Sequence, residues 1–250
     1  MSTSIEISEA AGVRYLHFGS DWIQGAMRLS SPNTLELQYT REMMAGLVLR
    51  EEGWPRNALA IGLGAGSLSR FIHEHCPQTR QTVVEIEERV VAAARHFFEL
   101  PEPSPRFHIE IGDGADYVQH GERRFDCVLV DGYDANARCG ALDTPAFYAA
   151  VRARLSDSGL MAVNLFGSAR GFDASLTRIN RAFSGRVLAF PSCDSGNIIV
   201  FAATGDEIRL PLADMRERAR QLKTRSGLDL LPAISRLEHA GRVPGGVLTL

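Results

Sequence analysis

The stretch Ala58-Leu-Ala-Ile-Gly-Leu-Gly-Ala-Gly-Ser67 constrains the fold more than any other part of the chain. Its apolar run, Ala58 to Ile61, reads as a buried strand, and Gly62, Gly64 and Gly66 follow at alternate positions. Leu68, Phe71 and Ile72 then recur at helical spacing. Strand, glycine turn and helix in succession open a nucleotide-binding α/β unit. Glycine lets the backbone bend sharply there and approach a ligand that a Cβ would hold off. Roughly twenty residues further on, Gln81-Thr-Val-Val-Glu85-Ile86 predicts a second buried strand ending in a carboxylate. A carboxylate at that place accepts hydrogen bonds from both hydroxyls of a ribose. The glycine triplet alone is a weak signal; joined to Glu85 it is a useful one.

Along the rest of the chain, Val13 to Phe18 and Trp22 to Leu29 read as strands around a turn at Gly19-Ser-Asp21. They predict a small N-terminal β-hairpin subdomain, residues 1–34, ahead of a Rossmann-like domain, residues 35–250. A helix is expected over 35–50, and strands and helices alternate from Ala58 onward. Strands are expected at 58–61, 81–86, 106–111, 125–130 and 160–165, then an antiparallel-looking pair near 186–190 and 197–203. Thr144-Pro145 has the form of an N-cap followed by proline at the first helical position. Such alternation favours a mostly parallel seven-stranded sheet covered by helices on both faces. The fold class expected is therefore α/β, a class I Rossmann fold of the S-adenosylmethionine type.

Composition narrows the partners. The net charge is −3, and one lysine, Lys223, accompanies arginines scattered among acids, so no phosphate-backbone partner is expected. No apolar run approaches the ~18 residues of a membrane span, and Met1-Ser-Thr-Ser-Ile-Glu lacks the marks of a signal peptide. A cytoplasmic protein with Cys76, Cys127, Cys139 and Cys193 as reduced thiols is expected. His73, His75 and Cys76 read as a solvated helix end before Pro77, so no metal is expected. Trp22 and Trp54 read as packing residues.

Ligands of an open α/β sheet bind outside the carboxyl ends of its strands. Glu85, Asp113, Asp131 and Asp134 all follow apolar strands in that place. Each alone is as well read as a loop acid or helix cap; together, beside glycine turns, they suit an adenosine that carries a positive sulfonium. Glu85 would hold the ribose, Asp113 with Gly114 the adenine, and Asp131 and Asp134 would face the reacting end. A carboxylate there stabilises the cation and can take a proton from an incoming ammonium. A pyrophosphate would sit badly among these acids, which argues against NAD and FAD.

With these motifs the chain resembles the polyamine aminopropyltransferases, the family of the spermidine synthases, from about Gln24 to Ala203. Ile61-Gly-Leu-Gly-Ala-Gly66 stands at its glycine loop, Val84-Glu85-Ile86-Glu87 at its ribose strand and Gly112-Asp113-Gly114 at its adenine motif. Val130-Asp131-Gly-Tyr-Asp134 stands at its D-x-x-D loop. The resemblance implies Asp131 as catalytic base, Asp134 holding the amine, and Gln24 with Gly62, Gly64, Gly66, Glu85, Asp113 and Gly114 on the donor. It also implies a homodimer. Three positions depart from the family pattern: Ala65 replaces the loop aspartate, Tyr39 stands one place early in the Tyr-x-Glu-Met motif, and Cys193 replaces a channel tyrosine.

The leading expectation is transfer of an aminopropyl group from decarboxylated S-adenosylmethionine to a small amine, releasing methylthioadenosine. No prosthetic group is expected; the nucleoside is a co-substrate. An S-adenosylmethionine-dependent methyltransferase is the second reading, which Ala65 favours because an aspartate there would repel the intact donor's carboxylate. A non-catalytic nucleoside-binding relative is the third, and retention of Asp131 and Asp134 argues against it.

Overall fold

A computed structural model describes residues 4–19, 22–133, 139–167, 171–193 and 196–250. Its N-terminal part is an antiparallel sheet of β1 (Ile5–Ala10), β2 (Val13–Phe18) and β3 (Ile23–Arg28). The expected hairpin is β2 and β3; β1 adds an edge strand that the sequence reading left out. Its Ile-Glu-Ile-Ser-Glu pattern buries almost nothing, so the alternation carries little signal.

The helix expected over 35–50 is two short pieces, α1 (Gln38–Met43) and α2 (Gly46–Leu49). Residues 35–37 stay outside α1 because their carbonyls are taken up by its side chains. Arg41 Nε donates to Leu35 O at 2.7 Å, and Thr40 Oγ1 donates to Leu37 O at 2.6 Å. The second piece begins at Gly46, where a Cβ would stand 2.9 Å from the Trp54 ring.

The alternating region follows as β4 (Asn57–Ile61), α3 (Ser67–His75), β5 (Arg80–Glu85), α4 (Glu88–Phe97), β6 (Phe107–Ile111), α5 (Gly114–His120) and β7 (Phe125–Val130). After it come α6 (Pro145–Arg154), β8 (Leu155–Phe166), α7 (Phe172–Ala182), β9 (Val187–Ala189) and β10 (Asn197–Ala203). The chain closes with β11 (Arg209–Pro211), α8 (Leu212–Ser226), α9 (Leu231–His239) and β12 (Val247–Thr249). The seven central strands run β6-β5-β4-β7-β8-β10-β9, and β10 is antiparallel to both its neighbours. The pairs β4–β5, β4–β7, β5–β6 and β7–β8 are parallel.

Helices on both faces bury the sheet, and the period of two sorts its residues between two cores. Ala58 and Ala60 of β4 pack with Phe71, Val90 and Leu222, whereas Leu59 and Ile61 pack with Val128, Phe147 and Ile179. The sheet order reverses between β4 and β7, and a crevice opens there at the carboxyl ends.

Candidate active site

The crevice is a cleft of about 780 Å³, walled by β3, α1 and the loops that leave β4, β5, β6 and β7. That is the size of a small-molecule site, typically about 300–1,000 Å³. Gly62 leaves β4 with φ +92°, and a Cβ on it would stand 2.3 Å from the Asp131 carbonyl oxygen. The glycine loop and the β7 exit therefore touch at a point where only glycine fits. Gly64, with φ +52°, lines the cleft beneath β3, and a Cβ there would be 3.0 Å from the Gln24 carbonyl. Gly66 is different: it caps α3, lies outside the cleft lining, and turns toward Leu100 and Arg70.

At the end of β5, Glu85 is buried and its carboxylate holds the loops on either side. Leu63 N–H donates to Oε2 at 2.8 Å, and Glu87 N–H donates to Oε1 at 3.0 Å. Burial pushes the Glu85 carboxyl up from the ordinary range, and the amides of Glu87, Leu63 and Ile86 pull it part of the way back. A carboxylate has roughly four lone-pair sites, so acceptors remain for the hydroxyls of a ribose. Asp113 follows β6 and caps α5, its Oδ1 accepting Ala115 N–H at 2.7 Å. Gly114 packs so closely on β4 that a Cβ would stand 2.3 Å from Ile61 Cγ2. Gln24, Gly62, Gly64, Glu85, Asp113, Gly114 and Asp131 line one cleft. Asp134 lies outside the described residues.

Asp131 follows β7 and lines the same cleft. Asn164 Nδ2, from β8, donates to its Oδ1 at 2.9 Å, and the Tyr39 hydroxyl on α1 donates to the same carboxylate. Burial raises the Asp131 pKa, and these two donors act against that rise. Tyr39 itself is held well above its usual pKa, by burial first and then by the charge of Asp131. Behind Asn164 stands Asn197 on β10, whose Nδ2 donates to Asn164 Oδ1 at 2.8 Å. Tyr133 donates its hydroxyl to the Asn164 carbonyl at 2.5 Å.

Sequence reasoning missed Asn164, Asn197 and Tyr133. For the two asparagines the signal was an amide beside or within an apolar strand run, since a buried amide needs partners; Tyr133 carried no such signal. It read Tyr39 only as a shifted motif residue. Trp22 is also corrected: it is 58% exposed at the mouth of the cleft, edge-on to Phe166 with ring centroids 5.9 Å apart, and is no packing residue.

Residues 37–165 match the family model of the spermine/spermidine synthase domain. Over 246 residues the chain is 36% identical to the polyamine aminopropyltransferase of Chromobacterium violaceum, covering 98% of this chain and 94% of that protein. The chain belongs to the spermine/spermidine synthase family. The fold of a probable spermidine synthase from Corynebacterium glutamicum superposes with a TM-score of 0.73 at 20% identity, over 88% of this chain and 83% of that one. Human methyltransferase-like protein 13, in complex with SAH, superposes with a TM-score of 0.69 at 24% identity, over 76% of this chain and 93% of that one. Synthases and methyltransferases share this fold, so the family rests on the sequence match and not on the superposition. The family match spans the glycine loop, Glu85, Asp113, Asp131 and Asn164, and it stops before Asn197.

Proposed function

We propose that this chain is a polyamine aminopropyltransferase that moves a 3-aminopropyl group from decarboxylated S-adenosylmethionine to an amine. The observation that carries the reading is the Asp131 carboxylate, held by two donors in the same cleft as Glu85 and Asp113. Glu85 binds the ribose hydroxyls, Asp113 and Gly114 meet the adenine, and Gln24 with Gly62 and Gly64 borders the donor. Gly66 supports the loop from behind. Asp131 accepts a proton from the incoming ammonium, which frees the nitrogen lone pair to attack the carbon next to sulfur. The new C–N bond forms as the C–S bond breaks, and the electron pair stays on sulfur in neutral methylthioadenosine. Asp134 holds the amine in this proposal. Alignment of nitrogen, carbon and sulfur supplies much of the acceleration.

Likeness over nearly the full length to polyamine aminopropyltransferases supports this reading over methyl transfer. The proposal also takes residues 1–34 as the N-terminal β subdomain and 35–250 as the transferase domain. It places a homodimer in the cytoplasm, with no nucleic-acid partner. No helix among the described residues is long and apolar enough to cross a membrane.

Replacing the base separates chemistry from binding. Asp131→Asn is expected to lower turnover by about 10²- to 10⁴-fold and to leave calorimetric methylthioadenosine affinity nearly unchanged. Equal loss of both would contradict the assignment of Asp131.

A further inference from the structure

Asn164 sits in the apolar second half of β8, residues 160–166, and Asn197 opens the otherwise apolar β10; they are 3% and 4% exposed. Buried amides are costly unless their donors and acceptors are met. Here they are met as a chain with a direction. Asn197 Nδ2 donates to Asn164 Oδ1, and Asn164 Nδ2 donates to Asp131 Oδ1. An ionised carboxylate only accepts, so Asn164 must offer it the NH₂ end. Its carbonyl end then faces β10, where Asn197 supplies the donor. With the Asn164 amide turned over, a carbonyl oxygen would point at the carboxylate and oppose its ionised form.

Strand pairing does not call for this pair. β8 and β10 are already joined along an unbroken ladder from Asn197–Phe166 to Ala203–Leu160. The Asn164 backbone is fixed separately by the Tyr133 hydroxyl. Beyond the ladder, the Asn197 side chain donates to the Asn164 amide, next to the carboxylate of the reaction.

We propose that Asn197 is a positioning residue for the transfer reaction: acting through Asn164, it locks the amide orientation that keeps Asp131 ionised and aimed at the amine. The proposal rests on the reading of Asp131 as base. Among the described residues, the titratable groups facing Asp131 are Tyr39 from α1 and Tyr133 from the loop after β7. Cys193 lies beside Tyr39, and Cys139 beside Tyr133. The tyrosines have raised pKa values, so they keep their protons through the carboxylate range. Glu85 also titrates above its ordinary range, but it bonds the Leu63 and Glu87 amides and not Asn164, so a limb that moves on changing Asn197 reports Asp131.

The test is the pH profile of kcat/KM for Asn197→Asp, with decarboxylated S-adenosylmethionine and 1,4-diaminobutane as substrates. An aspartate at 197 cannot donate when ionised, so Asn164 loses the partner that holds its carbonyl. The acid limb is expected to move up by about one pH unit, a loss of roughly tenfold below the limb. The rate is expected to recover at high pH, and methylthioadenosine affinity to stay unchanged. Asn197→Gln, which keeps a terminal amide, should restore part of the shift. A profile of unaltered shape, whether scaled down or not, overturns the proposal.

If the aspartate variant does not fold, Asn197→Ala removes the same donor without adding charge and is read in the same way. Titration of the Asp131 carboxyl carbon by NMR, in aspartate-labelled protein, reads the shift without turnover. The two readings fail separately. Full activity of Asp131→Asn would remove the base, whereas an unmoved limb in Asn197→Asp with an inactive Asp131→Asn would remove the relay alone.

Discussion

At the scale of single residues, the protein holds two carboxylates against the preference of their surroundings. Burial raises the pKa of both Glu85 and Asp131. The sign of the consequence follows from linkage. A folded-state pKa above the unfolded one contributes stability that is present below the ordinary carboxylate range and lost as pH rises through the raised value. Ionising Asp131 in this buried site is therefore a local cost that a bound cation relieves. A sulfonium donor lowers the Asp131 pKa on binding, so its affinity should fall as pH drops through the raised pKa of the free protein. The fall is at most about tenfold per pH unit for one linked proton. Calorimetry of the decarboxylated donor against pH checks this, with neutral methylthioadenosine expected to depend on pH less steeply. Equal dependence for the two would mean that Asp131 does not sense the sulfonium.

Asp131 was legible because an acid that ends an apolar strand advertises itself. Asn164 and Asn197 were not, because their meaning lies in cross-strand register, and one sequence does not reveal which strand lies beside which.

At the scale of elements, the glycine loop is where the N-terminal sheet meets the central fold. Ala65 is 2% exposed and clusters with Leu16, Met27 and Phe98. A Cβ on Gly25 of β3 would stand 2.5 Å from the Ala65 Cβ. The departure at position 65 thus belongs to this contact as well as to the donor, and the two small residues fit each other. Ala65→Asp would place a carboxylate against apolar side chains at a cost of about 1–3 kcal/mol. For a chain of this size that corresponds to a fall in Tm of very roughly 2–12 °C. A thermal melt at neutral pH checks it, and an unchanged Tm would show that the loop has room for the acid.

The strand and helix order was readable because each βα unit carries its own period, and glycines mark the exits of β4, β6 and β7. The late start at Gln38 and the break at 44–45 were not. The start follows Arg41 and Thr40 binding preceding carbonyls. The break is where backbone bonds shorten to Met44 N–H with Arg41 O and Ala45 N–H with Glu42 O, next to Trp54 lying over Gly46. Those contacts leave the apolar spacing intact, so the sequence still reads as one helix.

At the scale of the whole molecule, distant parts of the chain converge on the walls of the cleft. Arg70, 1% exposed, leaves α3 and donates to Pro32 O at 3.0 Å and to Phe98 O at 2.7 Å. It ties the segment after the N-terminal sheet to the end of α4. Glu42 on α1, the helix that carries Tyr39, pairs with Arg236 on α9. The C-terminal helices thereby brace the wall that faces Asp131. None of this was legible beforehand, because each bond joins segments far apart in the chain, and a charged residue on a helix does not name its partner. Aminopropyl transfer is read from the products of the reaction. The protein is incubated with 1,4-diaminobutane and either decarboxylated or intact S-adenosylmethionine, and both nucleoside products are quantified. The expected result is methylthioadenosine from the decarboxylated donor, equimolar with a diamine lengthened by one aminopropyl unit, and no reaction of the intact donor. S-adenosylhomocysteine and a methylated amine from the intact donor would contradict it.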